Sequence, residues 1–139
     1  RNHSSAASDV YKRQIPGDLK FLSSHEWARV NDDGTVTIGI SDHAQSQLGD
    51  IVYVELPEIG KEVEFEGDTA IVESVKAASD VYSPISGEIV ETNDAIEQEP
   101  EIINQSPFEE GWFFKIKPHN IDELSELLSP EEYSEICED

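Results

Sequence analysis

The sequence predicts a mainly β domain: a compact antiparallel barrel or sandwich with small helices at its edge. Three observations carry this. Val36, Ile38 and Ile40 alternate with Thr35, Thr37 and Gly39, and Trp112, Phe114 and Ile116 alternate with Phe113, Lys115 and Lys117. A period of two places alternate side chains on opposite faces of a strand. The β-branched runs are short and are divided by turn clusters such as Asp32-Asp33-Gly34, Pro57-Glu58-Ile59-Gly60 and Ser83-Pro84-Ile85-Ser86-Gly87. Helix signals are confined to a short stretch after Ser41 and to the tail after Asn120.

In chain order, Ile15-Pro16-Gly17-Asp18 is a turn cluster that opens the fold. Residues 19–30 hold two short strands broken at Ser23-Ser24, and Gly34 suits a turn position with positive φ. Residues 35–40 are expected to form a half-buried strand. The Ser41 hydroxyl is placed to accept from the free amides of a first helical turn, with Asp42 at the positive end of the dipole. Leu48 is then expected to face inward, and Gly49 to close the helix as a left-handed cap. A strand follows over residues 51–56, then a short one containing Val63 and Phe65 that ends at Gly67. Residues 71–75 and 79–82 read as a hairpin with Lys76 at its tip, bounded by Gly67-Asp68 and Ser83-Pro84. Residues 88–91 form a strand, and residues 92–107, rich in acids and holding two prolines, a loop. In the tail, Asn120 with Glu123 and Ser129 with Glu132 are capping-box patterns, and Pro130 suits a first helical position. Leu124, Leu127, Leu128, Tyr133 and Ile136 supply its apolar stripe.

A chain of 139 residues has the length of one domain, able to bury roughly two-thirds of its unfolded surface. Residues 1–14 differ from the rest: they hold Ser4, Ser5 and Ser8, three basic residues and no apolar period. They are expected to be a disordered or non-native extension before a single domain over residues 15–139. The one cysteine, Cys137, excludes an internal disulfide framework, and its acidic surroundings argue against a reactive thiol. No apolar run is long enough to span a bilayer, and no signal peptide is visible. The formal charge of -22 should repel nucleic acid and anionic membranes and favour basic partner surfaces. His3, His25, His43 and His119 have no metal-ligand spacing, and neither a nucleophile elbow nor a phosphate-binding glycine loop appears. No catalysis is expected from the chain itself.

Lys76 is the only Lys or Arg between Lys61 and Lys115. On spacing alone it reads as a solvated surface lysine or as an attachment point. Its flanks decide more. Glu73-Ser74-Val75-Lys76-Ala77, followed by Ser79-Asp80-Val81-Tyr82, closely resembles the lipoyl-lysine segment of the glycine cleavage system H protein family. His25-Glu26-Trp27 resembles that family's opening, and Gly39-Ile40-Ser41-Asp42-His43-Ala44-Gln45 and Leu48-Gly49-Asp50-Ile51-Val52-Tyr53 its middle. Ser83-Pro84-Ile85-Ser86-Gly87-Glu88 and Gly111-Trp112-Phe113-Phe114 resemble its end, so the likeness spans residues 16–136.

The resemblance implies the hybrid barrel-sandwich of lipoyl and biotinyl carriers, a non-catalytic role, and lipoate in amide linkage on Lys76. Glu73, Ser74, Val75, Ala77 and Asp80 would be the flanks of the attachment motif. The implied partners are the pyridoxal-phosphate glycine decarboxylase (P-protein), the tetrahydrofolate-dependent aminomethyltransferase (T-protein), the flavin dihydrolipoamide dehydrogenase (L-protein) and a lipoate-attaching enzyme. A monomer in the bacterial cytoplasm, or in the mitochondrial matrix of a eukaryote, would fit. Ser24 and Glu26, with Asp80, are the implied dock for the loaded arm. Gln47 stands where some members have a histidine that steadies it. Other readings stay open. Biotin carriers usually have methionine beside the lysine, and lipoyl domains of 2-oxoacid dehydrogenases usually have Asp directly before it; Val75-Lys76-Ala77 has neither. A lipoate relay to other proteins needs the same lysine, and a binding module that is never modified needs none.

Overall fold

The computed structural model describes residues 19–137. Its nine strands are β1 (Lys20–Phe21), β2 (Glu26–Val30), β3 (Val36–Ile40), β4 (Ile51–Glu55), β5 (Glu62–Val63), β6 (Asp68–Ser74), β7 (Ala78–Tyr82), β8 (Gly87–Thr92) and β9 (Phe114–Pro118). They form two antiparallel sheets, ordered β1-β2-β3-β9-β8-β5 and β4-β6-β7. Short helices sit around them: α1 (Asp42–Leu48), α2 (Asp94–Gln98), α3 (Glu101–Gln105), a 3-10 helix (Ile121–Glu126) and α4 (Pro130–Cys137). This is the antiparallel barrel-sandwich hybrid with short peripheral helices that the sequence predicts. None of the described helices is long and apolar enough to cross a membrane.

The apolar alternation supplies the core. Ile38 and Ile40 of β3, Val54 of β4, Val72 of β6, Val81 of β7, Ile89 of β8 and Phe114 and Ile116 of β9 meet in one buried cluster. The sequence suggests that β3 is half buried; all five of its residues are buried. The cause is a second cluster on its other side, built from Leu19, Phe21, Trp27, Phe108 and Tyr133. The Trp27 indole lies directly on Gly39, where an added Cβ would come within 2.7 Å of the ring. Its Nε1 donates to the carbonyls of Ile40 and Pro107, each at 3.0 Å. Tyr133 stacks on Phe21 with ring centroids 4.1 Å apart, which seats α4 on β1.

Several expectations need correction. Residues 92–107 are not a loop: α2 and α3 lie there, anchored by the fully buried Ile96 and Ile103. Asn93 fastens the segment by donating to the carbonyls of Glu110 and Trp112. Phe65 falls in a turn rather than a strand, because the following Glu66 takes φ 64 and β5 stops at Val63. The capping box at Asn120 is half made. Its side chain accepts from Asp122, but Glu123 turns away to accept from the amide and hydroxyl of Ser86. The result is a 3-10 helix. The box at Ser129 is complete, with Glu132 accepting from the Ser129 amide and Ser129 from the Glu132 amide. The apolar stripe of the tail fades at its end, where Ile136 is exposed. The N-terminal extension expected over residues 1–14 and the turn expected over residues 15–18 lie outside the described residues.

Candidate functional site

The β6–β7 hairpin pairs Glu73 with Ala78 and Ile71 with Asp80, leaving Val75-Lys76-Ala77 as its tip. Ser74 holds that tip. Its hydroxyl oxygen accepts from the amides of Lys76 and Ala77, each at 3.1 Å, and its own amide donates to the Ala77 carbonyl at 2.8 Å. Such a side-chain-to-backbone turn stiffens three residues that would otherwise fray. The Val75 amide donates to the Asp50 carbonyl at 3.1 Å, tying the tip to the turn before β4. Lys76 is exposed, as are Glu73, Val75 and Ala77 around it.

The lysine stem lies against that same turn. A Cβ added at Gly49 would sit 3.4 Å from Lys76 Cε and 3.9 Å from Nζ. The backbone of Gly49 has φ 82 and ψ -153, a region that only glycine occupies readily. Its amide does close α1 on the Gln45 carbonyl, but the extended ψ is not the left-handed cap that the sequence suggests. Ser41 caps the other end as expected, accepting from the Ala44 amide at 3.2 Å.

Asn104 of α3 fixes the turn from behind. Its Oδ1 accepts from the Ile51 amide at 2.9 Å, and its Nδ2 donates to the Gly49 carbonyl at 2.9 Å and to Gln45 Oε1 at 2.7 Å. The sequence gives no sign of this residue, because it lies in a stretch with no apolar period, 55 positions from Gly49. Asn104, Gly49 and the Ser74 turn together give Lys76 a defined pivot.

Ser24 and Glu26 are brought together, the hydroxyl donating to Glu26 Oε1 at 2.5 Å. The Tyr82 amide donates to Glu26 Oε2 at 2.9 Å, so this carboxyl meets the base of the hairpin that carries Lys76. Glu26 is only 2% exposed. Burial pushes its pKa up to about 7, against the hydrogen bonds from Ser24 and Tyr82, with Glu66 adding a small repulsion. Beside it, His25 takes φ 82 and shares a hydrogen bond with the Tyr133 hydroxyl at 2.7 Å. Burial, then the nearby His43, lowers the His25 pKa. Asp80 stands apart from the Ser24–Glu26 pair. It is exposed on the outer face of the three-stranded sheet, in register with Ile71, and lines a groove with Glu55, Lys61 and Asp68. Gln47 is exposed on α1.

A free amine on a stiff tip suits an acyl acceptor, and a buried carboxyl near neutrality suits a receptor for a cation. Known proteins resemble this chain over most of its length. The family model described as glycine cleavage H-protein matches residues 19–139. The glycine cleavage system H protein of Saccharophagus degradans is 56% identical over 125 residues, covering 90% of this chain and 96% of its own. That of Stenotrophomonas maltophilia is 59% identical over 126 residues, covering 91% and 96%. Among solved structures, a glycine cleavage system H protein from Mycobacterium marinum superposes with a TM-score of 0.81. It is 38% identical and covers 87% of this chain and 97% of its own.

Proposed function

The chain belongs to the glycine cleavage H-protein family, and from that premise we propose that Lys76 is the residue that bears its lipoyl group. The protein is a lipoyl carrier of the glycine cleavage system and not itself an enzyme. The observation that supports Lys76 is its place at the tip of a hairpin stiffened by Ser74, with its stem over Gly49. Glu73, Ser74, Val75 and Ala77 then flank the attachment point, and Asp80 follows on the outgoing strand. Residues 15–139 act as one carrier domain, a reading supported by a family match that begins at residue 19, and residues 1–14 as a dispensable extension. The bacterial sources of the relatives support a bacterial cytoplasmic setting, and a monomer suits a shuttle.

In this reading the lipoyl arm accepts the aminomethyl group of glycine at the decarboxylase and delivers it to the tetrahydrofolate-dependent transferase. The reduced dithiol then goes to the flavin dehydrogenase. Ser24 and Glu26 hold the amine of the loaded arm, with Asp80 on its path. The raised pKa of Glu26 supports this: an arriving ammonium favours the carboxylate, so a carboxyl that titrates near 7 ionises as its partner docks. Lipoate relay to other proteins is the second reading, since it uses the same lysine.

Intact mass after expression with lipoate and an attaching enzyme tests the attachment site. The wild type gains one lipoyl group and Lys76→Arg gains none, because a guanidinium stays protonated and cannot be acylated. An unmodified wild type, or a modified Arg variant, refutes the reading. The dock is tested by formaldehyde released from isolated aminomethyl-loaded protein. Glu26→Ala should release it faster than wild type, and equal rates remove Glu26 from the dock.

A further inference from the structure

Three large apolar side chains that the fold leaves in water are gathered at one end of the three-stranded sheet, beside Lys76. They are Val52, Tyr53 and Val75, exposed by 55%, 47% and 67%. Their exposure has a structural cause. The pairing of β4 with β6 runs from Ile51 opposite Ser74 to Tyr53 opposite Glu73, so Val52 is an extra residue in a bulge. Successive residues of a regular strand face opposite ways, but here Val52 and Tyr53 are both exposed. Val75 follows the partner strand and is tied to Asp50, two residues before Val52. Exposed acids surround them: Asp50, Glu55 and Glu73.

We propose that Val52, Tyr53 and Val75 form the docking surface for the enzyme that acylates Lys76, a partner with an apolar socket rimmed by basic side chains. The inference rests on the reading of Lys76 as the attachment residue. The geometry selects this partner over the others of the system. Enzymes that read the finished arm meet its dithiolane, many bonds beyond the lysine. The acylating enzyme must bring its reacting carbonyl to Nζ itself, which lies close over Gly49. It therefore covers the surface next to Gly49 and Asp50, where the bulge presents its two side chains. In the reaction Nζ loses a proton and adds to the carbonyl carbon of an activated lipoyl donor, an acyl phosphate anhydride or thioester. The amide C–N bond forms as the C–O or C–S bond breaks, and the phosphate or thiolate leaves with that electron pair. Among the described residues the Lys76 amine has no hydrogen bond or ion pair, so the base that takes its proton comes from the partner and needs close docking. Apolar anchors inside a charged rim are the usual centre of such an interface. The acidic rim and the charge of -22 match basic side chains on the other side.

The test uses the full chain and steady-state lipoylation followed by mass. Tyr53→Ser/Val75→Thr should raise the KM of the attaching enzyme for the carrier by about 10-fold, with kcat changed far less. Ile59→Ser, at an exposed apolar residue elsewhere, should leave both unchanged. The double variant, fully lipoylated by prolonged reaction, should be reduced and reoxidised by the flavin dehydrogenase at the wild-type rate. An unchanged KM for the double variant overturns the proposal, as does an equal loss with the dehydrogenase, which would make the patch a general interface. If the variant does not fold, as judged by far-UV circular dichroism, Val75→Thr alone carries the test: its KM must rise above that of wild type, and an unchanged value overturns the proposal. A wild type that is never lipoylated removes the reading of Lys76 instead, so the two failures are distinct.

Discussion

Replacing Glu26 by Gln should make the protein more stable above neutrality and flatten part of its pH dependence. Burial raises the Glu26 pKa from its ordinary 4.5 to about 7 in the folded state. At roughly 1.36 kcal/mol per unit, ionising this buried carboxyl costs the fold about 3 kcal/mol. The sign follows from which state binds the proton more tightly. The folded state does, so the contribution is fully present below pH 4.5 and is lost as pH rises through 7. A glutamine imitates the protonated acid. Its Oε1 accepts from the Tyr82 amide, and its Nε2 donates to the Ser24 hydroxyl, which rotates to accept. Both hydrogen bonds survive and the ionisation disappears. Urea unfolding of the two proteins between pH 4.5 and 8 is the assay. The other carboxylates titrate alike in both, so the difference between the curves isolates residue 26. Wild type should lose about 3 kcal/mol relative to the Gln variant across that window. Parallel curves would refute the argument, because they would mean that burial does not disfavour the Glu26 anion.

Two further outcomes test how the site is held. Asn104→Ala should cost about 1–3 kcal/mol, since it leaves the amide of the buried Ile51 without a partner, and should speed hydrogen exchange at the Val75 amide. Unchanged exchange at Val75 would mean that the brace does not reach the tip. Gly39→Ala should lower stability by roughly 1–3 kcal/mol in thermal unfolding and alter the near-ultraviolet tryptophan signal, because its Cβ would fall 2.7 Å from the Trp27 ring. Full stability in that variant would show that Trp27 can shift at little cost.

The strands and the hairpin were legible because their signals are local. Val36, Ile38 and Ile40 announce β3 by period, and Lys76 stands out because its flanking runs and turns lie within a few residues of it. What period cannot report is the second layer. Thr37 and Gly39 look like a solvent face, yet Asn31 donates to the Thr37 hydroxyl and the Trp27 indole lies on Gly39, in a cluster completed by Phe108 and Tyr133 far along the chain. Ser24 and Glu26 were legible only through family likeness. The burial that raises the Glu26 pKa arises where residues 26 and 82 meet, which no window of sequence contains.

The stretch over residues 92–107 shows the same limit and its consequence for function. Each of its helices has five residues, too few for an apolar period of 3.6 to repeat, so acids and prolines dominate the pattern. Tertiary contacts make the helices. Ile96 and Ile103 are fully buried, and Asn93 is tied to two carbonyls of the following segment. Helical structure then places the Asn104 amide against Gly49, Ile51 and Gln45. The lysine at the tip is specified locally, but its floor is fixed by Asn104, 55 positions from Gly49 in the chain. Attachment chemistry needs both, since an amine on a loose tip would lose orientation even with every flanking residue in place.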